Sequence, residues 1–344
     1  MPEDMRLSIR EIDKTDFRRL YEICESGPTR AGEVARLSVD VERKKYKRVI
    51  YLAVGGSATA GNIISDWFLS SGRIEVSVFN GFLPKVDLDD ALVVVCSTSG
   101  NTEETLRMAR QVSRRRRNMV AISSGGKLLE FAEKEGITHV KIPMAMAPRY
   151  SLPYSLFAAV AVLRSASLTA GLQWEVGGAL ENLENVGRRI CTGVPLSENV
   201  SKQIATAVSE GIPRIYGSSV TRGVVRRFKT SLNENAKIAA FSDYAPDLFH
   251  NEVQAWEMKN SIFKPVILRR AGDPKRESKS LDRLATILEA MGNRCHQVNG
   301  SGRGNLSQLV TLAYTLDFAT YYAAILRGVD PFEVRIIDEL KGAR

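Results

Sequence analysis

The sequence predicts an α/β fold built twice, as two doubly wound parallel sheets flanked by helices. Three observations carry that expectation. Short, almost fully apolar runs rich in β-branched residues recur along the chain, and such runs mark strands buried on both faces. Amphipathic stretches separate them at the spacing of βαβ units. After Pro153 the alternation gives way to a wholly helical stretch and then starts again.

In order, the strand candidates of the first half are RVIYLAV (48–54), IEVSVFN (74–80), ALVVVCS (91–97), NMVAISS (118–124) and ITHVKIP (137–143). Stretches such as GNIISDWFLSSG and TEETLRMARQVSRR supply the helices between them. YSLFAAVAVLRSASLTAGL and the segment around WEVGGALENLENVGRRI are helical. The second half offers PRIYGSS (213–219), AKIAAFS (236–242), KPVILRR (264–270) and RCHQVNG (294–300), with a last helix near 307–326. The organisation expected is a helical extension over 1–45, a first α/β domain over 46–165, a helical connection over 166–195, a second α/β domain over 196–310, and a C-terminal helix and tail over 311–344. The turns YLAVGGSATAG and RIYGSSVTRG each follow the first strand of their half, as a duplication would place them.

Composition narrows the function classes. With 344 residues, 44% apolar and 25% charged, the chain can bury two cores. No uninterrupted apolar run is long enough for a membrane span, and MPEDMRLSIREIDK lacks the apolar centre of a signal peptide; a cytoplasmic protein without membrane partners is expected. Cys24, Cys96, Cys191 and Cys295 lie far apart, as do His139, His250 and His296, so neither a disulfide framework nor a metal site is spelled out. Cys96, ending an apolar strand, reads as a small core residue. The net charge of +9 invites nucleic acid, but the densest run, Arg114–Arg117, closes a helix where cations complement the dipole and face solvent. No nucleic-acid partner is expected; the positive field equally suits a phosphorylated small molecule.

Two loops carry chemistry. In such sheets ligands bind beyond the carboxyl ends of the strands, where GGSATAG (55–61) and STSGNTEET (97–105) both fall. Gly55, Gly56 and Ser57, ahead of a helix starting near Thr59, let backbone N–H groups converge on an anion at a helix N-terminus. Neither a dinucleotide Gly-x-Gly-x-x-Gly nor a Walker-type loop is present. Ser97, Thr98, Ser99 and Thr102 surround Gly100 in the second loop. One hydroxyl would serve as a helix cap; a cluster is better matched to a phosphate accepting several hydrogen bonds.

The strand–STSGNTEET–helix segment resembles the phosphosugar-binding motif of sugar isomerase (SIS) domains. Leu232-Asn233-Glu234-Asn235-Ala236-Lys237, Asp247-Leu248-Phe249-His250-Asn251-Glu252 and Ile337-Asp338-Glu339-Leu340-Lys341 extend this to a resemblance, over about residues 45 to 344, to the bifunctional phosphoglucose/phosphomannose isomerases of archaea and bacteria. The resemblance implies tandem SIS domains and an aldose–ketose isomerase moving a proton between C2 and C1 through an enediolate. No metal or organic cofactor is implied. Glu234 matches the family's base, His250 its ring-opening histidine, Arg149 the guanidinium beside the enediolate, and Lys341 the cation near the ring oxygen. Gly56, Ser57, Ser97, Ser99 and Thr102 would hold the phosphate. A homodimer is implied, His250 reaching the neighbouring site. Two departures are Ala58, where the family has glycine after the serine, and Thr98, where it commonly has tyrosine.

Without that resemblance each residue has a plainer reading: Glu234 as a surface helix carboxylate, Arg149 as a loop arginine, Lys341 as a solvated terminal lysine. His139 and His296 sit in strand patterns and read as structural, and Glu103 and Glu104 are ordinary first-turn carboxylates. Two alternatives compete: a SIS-domain regulator that only binds sugar phosphate, and an aminosugar-phosphate isomerase. The first would need a DNA-binding module for which 45 N-terminal residues are scarcely enough. The second lacks a glutaminase nucleophile, Cys24 being the first cysteine.

Overall fold

The computed structural model describes residues 28–342, apart from 43, 84, 86, 114–117, 146 and 259–261. Most of the expected helical extension, with Cys24, and the Arg114–Arg117 run lie outside the described residues; of the extension, residues 28–35 are helical. The chain divides into two compact units. One runs to Glu181 and includes Arg303–Ser307; the other comprises Asn182–Gly302 and the chain from Gln308 onward.

The N-terminal unit holds a five-stranded, all-parallel sheet. β1 (Arg48–Leu52), β2 (Glu75–Phe79), β3 (Ala91–Cys96), β4 (Met119–Ser123) and β5 (Thr138–Lys141) stand in the order β2-β1-β3-β4-β5. Every residue of β3 is buried, as a central strand covered on both faces requires. Alternate residues serve opposite faces. Ile50, Leu52, Val93 and Val95 pack with Leu106, Ala109 and Val112 of α2 (Glu103–Ser113) and with Leu128 and Ala132 of α3 (Gly126–Glu135). On the other face Tyr51 meets α1 (Gly56–Ser70), whose Gly61 is so close that a Cβ there would stand 2.4 Å from the Tyr51 ring. α1 also packs against α4 (Leu152–Ser165).

In the C-terminal unit β6 (Ile212–Gly217), β7 (Phe241–Tyr244), β8 (Phe263–Arg269) and β9 (His296–Asn299) run parallel in the order β7-β6-β8-β9. That order repeats β2-β1-β3-β4, so the four strands of the second sheet match the first four of the first, and β5 has no counterpart. α5 (Gln173–Ile190) and α6 (Val200–Ser209) precede β6, α7 (Arg222–Asn235) follows it, and α8 (Lys275–Ala290) joins β8 to β9. Leu281, Leu284, Ala285 and Leu288 of α8 pack on Tyr216 and Ile267 of the sheet. α9 (Asn305–Arg327) and α10 (Arg335–Gly342) end the chain. α9 is long and apolar enough to cross a membrane, but 89% of its most apolar window is buried inside the protein.

Two expectations need correction. α1 starts at Gly56, not near Thr59, because Gly55 at φ 61° turns the chain straight from the strand into the helix. The strand expected over 236–242 begins only at Phe241. α7 runs on to Asn235, and Lys237 then takes φ 54°, returning the Ile238 N–H to the Leu232 carbonyl at 3.1 Å. AKIAA is therefore the helix's C-terminal turn; its apolar residues Ala236, Ile238 and Ala240 are buried there.

Candidate active site

At the carboxyl edge of the N-terminal sheet the loops after β1 and β3 meet through hydroxyls. Ser57 Oγ, at the start of α1, accepts the Thr98 N–H at 3.1 Å and lies 3.2 Å from Thr98 Oγ1. Ser97 Oγ lies 3.0 Å from Thr102 Oγ1, just before α2, and Ser99 Oγ accepts the Asn101 N–H at 3.3 Å. Ser57, Ser97 and Thr98 are buried, whereas Gly56, Ser99 and Thr102 are half-buried. The buried hydroxyls thus tie the two loops together, and Gly56, Ser99 and Thr102 stay half-open beside them. Below them Cys96 is fully buried and its thiol is pushed up to about 11 by burial, a neutral core residue.

Gly100 has a sharper role than turn flexibility. At φ 70° it presses against the loop after β4, and a Cβ there would stand 1.8 Å from the Gly125 carbonyl oxygen. Its carbonyl accepts the Leu128 N–H at 2.9 Å, and Asn101 Oδ1 accepts the Lys127 N–H at 3.1 Å. The Thr98 carbonyl accepts both N–H and Oγ–H of Ser124, at 2.9 and 2.7 Å. The hydroxyl loop is clamped from behind by backbone bonds and by the side chains of Asn101 and Ser124. Gly100→Ala is therefore expected to cost at least about 1–3 kcal/mol for the left-handed backbone, and more for the clash. Thermal melting should show a lowered midpoint together with a raised KM; parent-like values for both would contradict this clamp.

The same unit brings Arg149 to the loops. A Cβ on Gly56 would lie 3.3 Å from Arg149 Cα, so the Arg149 segment passes directly over the first loop. Arg149 is buried, its guanidinium 4.8 Å from the Tyr150 ring centre. Gly56, Ser57, Ser97, Ser99, Thr102 and Arg149 thus gather at one sheet edge. His139 is structural, as its strand position suggests: its Nε2 lies 2.8 Å from Ser123 Oγ.

The C-terminal unit carries Glu234, His250 and Lys341. Glu234 is half-buried in the last turn of α7. Lys237 of the same motif is its clamp: Nζ donates to the carbonyls of Glu234, Asp330 and Glu333 at 2.8, 2.5 and 2.7 Å. Upstream on α7, Arg227 forms a bidentate, buried pair with Asp317 of α9, at 2.9 and 3.1 Å. Ser231 Oγ donates to the same carboxylate at 3.3 Å, and Asn235 Nδ2 donates to Thr320 Oγ1 at 2.9 Å. Burial works against the Arg227 charge, but the Asp317 carboxylate, with Glu234 further off, outweighs it and holds the guanidinium firmly protonated. This network fixes the helix that presents Glu234. Asp317 went unremarked in the sequence, although a lone carboxylate amid TLDFATYYAAIL was a signal.

His250 is exposed, its N–H on the Asp247 carbonyl at 2.9 Å. Its loop is anchored by the neighbouring Glu252, which pairs with Arg214 and accepts from Tyr216 Oη at 3.2 Å; Trp256 Nε1 in turn donates to Tyr216 Oη at 2.8 Å. Burial, then Glu252, push the Tyr216 hydroxyl up, so it stays a donor. Lys341 is exposed on α10, which has no buried residue.

The second sheet's equivalent loops are filled differently. Ser218, after β6, donates through Oγ to Asp273 at 2.6 Å, and Ser219 gives its N–H and Oγ–H to Glu277 at 2.7 and 2.8 Å. Asp273 follows β8 as the hydroxyl loop follows β3, and also accepts the Arg270 N–H at 3.1 Å. Burial raises its carboxyl, against those hydrogen bonds. Where the N-terminal unit offers hydroxyls, this one has spent its donors on its own carboxylates. Among the described residues no group of His, Cys, Asp and Glu has the arrangement of a metal site.

Known proteins resemble this chain over most of its length. The profile of the bacterial phospho-glucose isomerase C-terminal SIS domain matches residues 197–343. A bifunctional phosphoglucose/phosphomannose isomerase of Thermoplasma volcanium is 31% identical over 301 residues, 86% of this chain and 91% of that protein. One of Caldicellulosiruptor bescii is 29% identical over 331 residues, 94% and 97% of the two chains. The solved C-terminal domain of glucosamine-fructose-6-phosphate aminotransferase from Francisella tularensis shares the fold, with a TM-score of 0.65 at 18% identity over 91% of this chain and 96% of that one. With two tandem SIS sheets and relatives matched nearly end to end, the chain belongs to the bifunctional phosphoglucose/phosphomannose isomerase family.

Proposed function

We infer that the protein interconverts glucose 6-phosphate and mannose 6-phosphate with fructose 6-phosphate through an enediolate. The observation that carries this is the end-to-end match to isomerases of that name, on a chain that keeps the family's hydroxyl loop and its Glu234, His250 and Lys341.

The roles proposed for the residues are those the family resemblance implies. Ser99, Thr102 and the Gly56 backbone take the phosphate, with Ser57 and Ser97 holding the loops in place. Glu234 carries the proton between C2 and C1; a carboxylate can do so for both aldoses because either proton leaves a planar enediolate. Arg149 balances the charge that develops on the enediolate oxygens. His250 opens the ring and Lys341 assists at the ring oxygen. The reaction is redox-neutral overall and asks for no metal or organic cofactor.

A homodimer, in which His250 serves the neighbouring site, fits the exposure of that histidine. It fits also the apolar side chains Ile336 and Leu340, 74% and 67% exposed on α10 beside Lys341. The protein works in the cytoplasm.

A coupled assay on the purified protein tests this reading. Fructose 6-phosphate is expected to yield both aldose phosphates at rates unchanged by a chelator; no turnover towards either would overturn it. Glucosamine 6-phosphate as substrate separates the aminosugar alternative.

A further inference from the structure

A buried carboxylate outside the reacting groups sits where two helices of the site are joined. Glu175, in the first turn of α5, is only 3% exposed. Its Oε2 accepts the indole N–H of Trp67 at 3.1 Å and the main-chain N–H of Leu306 at 2.8 Å. One oxygen therefore ties α5 both to α1 and to the start of α9. Both donors are neutral groups. Burying a carboxylate on neutral donors is expensive, and the positive ends of two helices, α5 and α9, offset that cost here.

The surroundings of this oxygen are closely fitted. Trp67 is fully buried. Leu306 stands in the first turn of α9, where main-chain N–H groups have no partner within the helix. Gly304, at φ 91°, leads the chain into α9 so near that a Cβ there would stand 2.9 Å from Glu175 Cγ.

The two tied helices serve different parts of the chemistry. α1 opens at Gly56 and Ser57, so its placement is that of the first phosphate loop. α9 carries Asp317 and Thr320, which hold Arg227, Ser231 and Asn235 of α7, the helix that presents Glu234. α9 is continuous from Asn305 to Arg327, so a shift of its first turn is carried along the rod.

We propose that Glu175 is a positioning residue for the isomerisation, an inference that rests on the isomerase reading of the protein. Through one oxygen it keeps the helix that begins at the phosphate loop in step with the helix that anchors α7. Loss of the tie leaves each end intact. The Ser57–Thr98 bonds still close the phosphate loop, and Lys237 still closes α7. Alignment is what suffers, and a misplacement of about 1 Å can cost about 10²-fold in rate.

The test compares steady-state kinetics of the full chain on fructose 6-phosphate with those of three variants, each melted separately. Glu175→Ala and Trp67→Phe are each expected to lower kcat at least about tenfold, with KM within about twofold of the parent's. Glu175→Gln should keep kcat near the parent's, because its amide oxygen can accept from both donors. Rates are read well below each melting temperature, where a purely structural loss lowers the midpoint and leaves kcat alone. Trp67→Phe keeps an aromatic ring in the core and carries the test if Glu175→Ala does not fold. A parent-like kcat in Trp67→Phe or in folded Glu175→Ala overturns the role of Glu175, as does a loss that Glu175→Gln fails to recover. Those outcomes leave the isomerase reading standing. Absence of turnover in the parent chain removes that reading, and this proposal with it.

Discussion

Glu234→Gln is expected to lower turnover by about 10²–10⁴-fold, the usual worth of a positioned general base, while sugar phosphate still binds. The amide keeps the shape of the carboxylate and cannot carry a proton between C2 and C1. The packing of α7 should survive, because the clamp from Lys237 uses the Glu234 main-chain carbonyl, not its side chain. Steady-state kinetics should therefore show a fall in kcat with KM little changed, and an unchanged melting temperature. Turnover at the parent rate would remove Glu234 from the chemistry.

The second large effect is on stability. Asp317→Ala leaves Arg227 buried and without its bidentate partner, and breaking a buried pair from one side typically costs about 3–5 kcal/mol. Ser231 loses its acceptor as well. Replacing both members by apolar residues, Arg227→Met with Asp317→Leu, should recover much of that stability, since the penalty comes from the stranded charge. Recovery of kcat separates structure from positioning: if the network orients Glu234, the stable double variant still has a reduced kcat with KM near the parent's. A double variant with full kcat would show the pair to be structural only.

What could be read in the sequence follows physical lines. β3 was legible because a strand covered on both faces must be apolar throughout, and ALVVVC has no other plausible use. STSGNT was legible as a loop at the carboxyl edge of the sheet, because an apolar strand ends there in hydroxyls and a glycine. AKIAA misled because its apolar residues are buried in a helix's final turn, and a short apolar run does not reveal whether strand or turn buries it. That turn depends on three carbonyls meeting Lys237, two of them more than 90 residues away. Gly100 was legible as a flexible residue but not as a contact, since Gly125 reaches it only through the fold. The likeness of GGSATAG to YGSSVTRG was visible, yet not their divergence: it lies in Asp273 and Glu277, which follow the neighbouring strand β8 and close the loop after β6.

The proton transfer itself is open to one direct measurement. Fructose 6-phosphate incubated with the protein in D₂O and followed by NMR should give glucose 6-phosphate and mannose 6-phosphate carrying deuterium at C2, because an enediolate with a carboxylate base exchanges its proton with solvent. Formation of neither aldose, or of aldoses still carrying only protium at C2 after many turnovers at equilibrium, would contradict the enediolate account.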